Sequence, residues 1–405
     1  MRSESRDRTG ALQTILRAAV LLHNSGQSTA MTLTAVRRLS HGLGQPAEIV
    51  PGFSTLTVYD PHTGGADAVT GQTRPIAVNM RRVAAVMRAV DDAGRHPVDR
   101  REIEQMLDEA ERLPPSSTLA FVVACACGAA ALSVVFGVTD VRAVGLVAAA
   151  AALDGLLRRL VAAVTSDVLL PVLGAAVIAG AAGALAGALG MQVPGGLVAL
   201  CPAMVMVPGP HILIGAMDLL AVRMPLALAR LGYALLVLAV IAVGLMIGLR
   251  TGGQALPLTS PPAQVPFVRD VLAAGVAAAC YPVFFSMPYR LLGWPIAVGM
   301  AAHALHWTAT TYGHTSVPVS ALVACLFAGA VLTPLAYLKR MPFAAVGFAA
   351  VVAMVPGMYV FRAVAGAVEL ATHATDAVLY AMSSALSRTG PSTGTPVLPP
   401  IGVAS

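Results

Sequence analysis

Hydrophobic and polar positions change character near Thr118. Before it, residues 11–23 and 29–43 place apolar side chains at helical spacing, with Gly42 and Gly44 as a stop signal. The pattern then shortens. Residues 47–50, 54–59 and 73–78 are β-branched and punctuated by Pro51-Gly52 and Gly64-Gly65, which predicts a small sheet. Residues 83–93 and 98–112 return to helical spacing, the second with Asp99 as N-cap, and Pro114-Pro115 closes the unit. No run in this part reaches the roughly 20 residues that a spanning helix needs. The start, Met1-Arg-Ser-Glu-Ser-Arg6, also lacks the apolar core of a secretory signal. Residues 1–115 are therefore expected to form a small cytoplasmic α+β domain.

Long apolar runs follow at about 118–138, 142–164, 168–190, 196–220 and 226–249, each close to membrane-crossing length. Residues 251–266 are polar and rich in Pro and Gly and read as a linker. Four further runs lie at about 267–288, 293–311, 316–338 and 342–364, with a weaker tenth near 366–387 and a disordered tail at 389–405. Val205-Met-Val-Pro-Gly209 and Ala353-Met-Val-Pro-Gly357 interrupt the fourth run of each half. Proline frees backbone groups that hydrocarbon cannot satisfy, so such breaks persist where they face protein or a water-filled cavity. An odd number of spans in the first half makes the second enter from the other side. The expected fold is a polytopic α-helical membrane protein of two inverted-topology repeats, about five spans each, at 116–250 and 267–388, behind the α+β domain.

Composition sharpens this picture. The chain is 57% hydrophobic and 11% charged, with mean hydropathy +0.76, against roughly 45–50% apolar and 25% charged in soluble domains. The net charge is +6, and the basic residues flank spans, so a nucleic-acid partner is not expected. Arg158-Arg159, Arg223, Arg290 and Lys339-Arg340 fall at inner ends when the α+β domain is cytoplasmic. Five cysteines, Cys125, Cys127, Cys201, Cys280 and Cys325, all sit in apolar runs without a CxxC pair and read as small apolar residues.

Candidate chemistry gathers at the breaks. Pro208 and Gly209 free the backbone; His211 follows at once, either as a titrating gate or as a partner for freed carbonyls. Asp218 reads as a ligand for a substrate amine, a proton carrier, or a helix-end acid paired with Arg223 or Arg230. Pro356 and Gly357 are the corresponding break in the second half. His303 and His306 share a helical face that reads as a polar, cavity-facing stripe, and no nearby carboxylate or thiol completes a metal site. Asp154 and Arg158, four apart, suggest an internal ion pair. Glu369, His373 and Asp376 share a face that suits either a proton relay or an interfacial amphipathic helix. GxSxG, HExxH, Walker-type and GxGxxG motifs are absent, so neither an enzyme nor ATP-driven transport is expected, and no cofactor or metal is called for.

Several segments resemble the threonine/serine exporter family in its fused form, with both membrane halves in one chain. They are His23-Asn-Ser-Gly26-Gln-Ser-Thr29, Arg38-Leu-Ser-His-Gly-Leu-Gly44, Val78-Asn-Met-Arg-Arg82, the run from Val207 to Asp218, and Ala229-Arg230. In the second half they are Met287-Pro-Tyr-Arg290, Gly299-Met-Ala-Ala-His303 and Val355-Pro-Gly357. The resemblance covers most of the chain. It implies a multi-pass plasma-membrane protein that exports threonine and serine from the cytoplasm, driven by the proton-motive force. Its partners would then be the amino acid, protons and the lipid bilayer, with homo-oligomerisation left open. Split relatives are associated with a dicarboxylate such as succinate, which is the alternative substrate. Pro210-His211 departs from the small or apolar residues usual after the first break, and the last span ends early in polar Ser383-Ser-Ala-Leu-Ser-Arg-Thr-Gly-Pro391. A membrane-anchored sensor or enzyme acting through the N-terminal part competes with this reading. His23, Ser25 and His41 are its suggestive set, although helix capping and solvated histidines explain them more simply. In the exporter reading, the amides opening the segment after the first break suit a substrate carboxylate, and Asp218 or freed carbonyls suit its ammonium.

Overall fold

The computed structural model describes residues 2–191, 193, 195–253, 265–339 and 343–354, together with 361, 363, 366, 367, 370 and 375. Pro356, Gly357, Glu369, His373, Asp376, most of the linker and the tail lie outside the described residues.

Four helices and a sheet precede the apolar helices: α1 (Arg2–Asn24), α2 (Thr29–Gly42), β1 (Glu48–Pro51), β2 (Thr55–Tyr59), β3 (Val69–Gln72), α3 (Met80–Ala93) and α4 (Arg100–Arg112). Side-chain caps start three of these helices: Ser28 accepts from Met31 N, Asn79 from Arg82 N and Asp99 from Arg101 N. The strands form an antiparallel sheet in the order β1-β2-β3, with Ile49 opposite Val58 and Val58 opposite Val69. Leu56 and Val58 turn inward from β2 onto Leu12, Ile15 and Leu22 of α1 and Val83 and Val86 of α3, all buried in one cluster. The third strand differs from expectation. It lies at Val69–Gln72, and 73–79 is irregular, because Pro75 cannot donate to a ladder and Thr73 closes the sheet through Ser54 O and Phe53 O.

The apolar part comprises α5 (Thr118–Val135), α6 (Val141–Val164), α7 (Leu169–Ala188), α8 (Gly195–Met204), α9 (Gly209–Leu220), α10 (Met224–Arg250), α11 (Phe267–Phe284), α12 (Gly293–Thr311), α13 (Val317–Lys339) and α14 (Phe343–Val351). Five of these, α5, α7, α10, α11 and α13, are long and apolar enough to cross a membrane. Helices α8 and α9 make a sixth candidate as a single broken span, bent by 66°. The chain is thus a polytopic helical membrane protein. Helix α6 has the length of a span but carries Asp154, Arg158 and Arg159 in its second half, and α12 carries His303 and His306. Glycine allows α7 and α10 to pack closely. A Cβ on Gly248 of α10 would run into Val177 O and Gly180 Cα of α7, so the two backbones meet through small residues.

Candidate functional site

The fourth run breaks where the sequence places the break. Val205, Met206 and Val207 bond back to Pro202, Ala203 and Met204 carbonyls in tight turns, and Tyr281 of α11 donates its hydroxyl to Met204 O at 3.1 Å. Pro208 then redirects the chain into α9. Gly209 has no alternative there, since a Cβ would overlap the ring of Phe348 from α14. Tyr281, Phe284, Phe285 and Phe348 form a chain of ring contacts at 5.0–6.5 Å, so aromatic residues of the second half clamp the break of the first.

A cavity of about 450 Å³ lies beside this break. Val205–Pro208 and Pro210 form one wall, Ile76–Val78 of the N-terminal part another, and Phe121, Tyr233 and Phe284–Ser286 supply much of the rest. Its polar groups are Arg158, Arg159, Thr165, Ser166, Asp167, His211, Tyr233 and Ser286. The Arg159 guanidinium sits 4.3 Å from the centre of the Phe121 ring and donates to Ser116 O at 2.9 Å; Arg158 is 5.6 Å from the same ring. Ser116 in turn donates to Val283 O at 2.6 Å, which ties the start of α5 to the end of α11. Guanidinium groups are the side chains best suited to pair with a carboxylate.

The predicted site residues separate. Pro208, Gly209 and His211 line or adjoin the cavity, but the amides opening α9 are already used. Gly209 N donates to Val207 O, His211 N and Ile212 N both donate to Pro208 O, and Pro210 has no N–H. These amides are therefore not free to act as the carboxylate receptor expected there. His211 donates Nε2–H to Pro75 O at 2.7 Å and packs 5.1 Å from Tyr233. It satisfies a carbonyl of the N-terminal part rather than one freed by the break.

Asp218 follows the ion-pair alternative. Buried and outside the cavity lining, it accepts from Thr29 Oγ1 at 2.9 Å, with Arg230 Nε and Arg223 Nη1 each at 3.3 Å. Arg230 reaches onward to His23 Nδ1 at 3.4 Å. Burial, followed by the Arg230 charge, pushes the His23 imidazole down to about 3, so it stays neutral and accepts. His23 is thus a buried docking residue rather than a solvated one, and His41 remains exposed at the far end of α2.

In the second half, His303 pairs with Asp270 of α11 at 2.8 Å, both buried, and the His306 ring lies 5.7 Å from that of His303. Sequence reasoning missed Asp270. Its signal was an acid three residues into an apolar run. Among the described residues no three His, Cys, Asp or Glu side chains gather as a metal ion would require. The anticipated Asp154–Arg158 ion pair also fails. Asp154 is 3% exposed and neither carboxylate oxygen meets a donor, because Arg158 turns toward Phe121 and the cavity. From the sequence, Arg158 and Arg159 read as inner-end charges, with Arg158 also as the partner of Asp154. Five residues of helix, Leu160–Val164, still follow them, so they sit within α6 rather than at its end.

Comparison with known proteins agrees with this architecture. No solved structure matches the chain. A stretch of 32 residues, 8% of the chain, is 78% identical to part of "Probable CoA-transferase Rv1866" of Mycobacterium tuberculosis (strain ATCC 25618 / H37Rv). The chain spans 4% of that protein, and so short a likeness says nothing about activity. The family model of threonine/serine exporters matches residues 13–252, and a second, "Threonine/Serine exporter, ThrE", matches 270–390. With one model on the N-terminal part and first membrane half and the other on the second half, the chain belongs to the threonine/serine exporter family.

Proposed function

We propose that this chain exports threonine and serine from the cytoplasm across the plasma membrane, driven by an inward proton gradient, with its N-terminal part on the cytoplasmic side. The two membrane halves act as inverted repeats, and the cavity beside the Val205–Pro210 break is the substrate site. One observation carries the reading: a cavity with ample room for an amino acid at a broken span, lined by two guanidinium groups and several hydroxyls among apolar residues. Arg158 and Arg159 take the α-carboxylate. Tyr233 and Ser286 are the polar partners at hand for a side-chain hydroxyl, and Phe121, Phe284 and Phe285 supply apolar wall for the rest.

Having two arginines rather than one also favours a second reading, in which the substrate is a dicarboxylate such as succinate. Efflux of labelled threonine from proteoliposomes, with and without an imposed pH gradient and with succinate as competitor, separates the two. Gradient-dependent threonine efflux, at least tenfold reduced in Arg158→Ala, is the expected result. Succinate flux without threonine flux would establish the second reading, and absence of both would overturn transport of either.

A further inference from the structure

We propose that Asp154 is a shared acceptor, taking in turn the transported proton and the ammonium group of the amino acid. The inference rests on the amino-acid reading above and assigns its coupling residue. Asp154 lies on α6 one turn from Arg158, and Arg158, Arg159 and Ala162 are the α6 residues that line the cavity. Asp154 is therefore the next polar group inward from the cavity along this helix.

Its surroundings are apolar. Val147, Ala150 and Ala151 of α6 are buried around it in sequence, and α5 packs so closely that a Cβ on Gly155 would stand 2.8 Å from Cys125 Sγ. From the packed helices, α5 contributes Cys125 and Cys127 as titratable groups, α8 contributes Cys201, and α7 contributes none. On α6 itself Arg158 and Arg159 follow. An ionised carboxylate with no donor is too costly in such a place, whereas the neutral acid is tolerated. The conformation seen is thus the proton-loaded one.

An amino acid carries its ammonium and carboxylate on one carbon, and side chains one helical turn apart have Cβ atoms about 5–6 Å from each other. With its carboxylate on Arg158, the substrate directs its ammonium toward Asp154. The ammonium pairs only with the ionised acid, so its arrival releases one proton to the solvent on the loading side. On the opposite side a proton from solvent returns to the carboxylate oxygen, the ion pair breaks and the amino acid leaves. Only the O–H bond is made and broken. One proton enters for each amino acid exported, the exchange that an inward proton gradient drives. A dicarboxylate has no ammonium and gains nothing from Asp154.

The test uses the purified full chain in detergent, titrated with threonine and with succinate in weakly buffered solution beside a pH indicator. Infrared difference spectra against Asp154→Asn follow the protonated carboxyl. The wild type is expected to show that band, to lose it on adding threonine and to release one proton per threonine bound. Its affinity should fall about tenfold per unit of acidification, and Asp154→Glu should retain the response while Asp154→Asn loses it. Threonine binding without proton release, or with the same pH dependence in Asp154→Asn, overturns the proposal and leaves the exporter reading intact. Succinate binding without threonine binding overturns the amino-acid reading and the ammonium half of the proposal with it. Should the variants not fold, the wild-type band and its response to threonine decide the matter.

Discussion

His23 has no exposed surface, and its Nδ1 faces the guanidinium of Arg230 from another part of the chain. Its imidazole is pushed from the ordinary 6.5 to about 3, first by burial and then by that charge. Below 6.5 the unfolded chain takes up a proton that the folded chain refuses until about 3. Stability is therefore complete above 6.5 and falls between 6.5 and about 3, by about 1.4 kcal/mol per unit. His23→Gln is expected to remove this part of the acid decline, read by thermal unfolding of the purified protein across that range. Equal acid slopes in both proteins would refute it. Sequence placed His23 in a family-like motif, but its burial was not legible, since the groups around it come from distant positions, Gly52, Phe53 and Arg230. Asp99 capping α4 was legible, because a cap depends only on neighbours two and three residues along.

Elements were legible where the chemistry is local. Proline cannot continue a backbone ladder, so Pro208 announced the break between α8 and α9 from sequence alone. The third strand was misplaced because β-branched Thr73 and Val78 outweighed Pro75 between them, whereas pairing with β2 selected Val69–Gln72. What no periodicity conveys is the close approach of elements from different halves. Gly209 abuts Phe348, and the added methyl of Gly209→Ala has no room. Overpacking of this kind costs about 1–3 kcal/mol, and here it falls between Pro208 and Pro210, which line the cavity. Threonine efflux from proteoliposomes is expected to fall at least tenfold in Gly209→Ala. Gly145→Ala, on a helix face open to its surroundings, should leave efflux unchanged. Equal efflux in the two variants would separate the break from transport.

Across the whole molecule, the N-terminal part meets the membrane helices through polar groups as well as apolar ones. Met80 N donates to Phe285 O at 2.8 Å, Pro75 O accepts from His211, and Thr29 and His23 engage Asp218 and Arg230. All four of these contacts bring the N-terminal part onto α9, α10 and the end of α11, elements that contribute residues to the cavity lining. That placement makes Asp218 a docking residue, and its other readings, amine ligand or proton carrier, predict different behaviour. Asp218→Asn leaves Arg230 buried beside a neutral amide, and breaking a buried pair from one side costs about 3–5 kcal/mol. The triple variant Thr29→Val, Asp218→Leu, Arg230→Met removes the hydroxyl, the acid and the base together, and replacing a buried ionic set by apolar residues is commonly neutral or stabilising. If Asp218 serves docking, the single variant should expose the Pro114-Pro115 connection to protease and lose efflux, while the triple variant recovers protection and a measurable part of the flux. Recovery of protection with no flux at all would instead place Asp218 or Arg230 on the transport path itself, and the docking role would have to be given up.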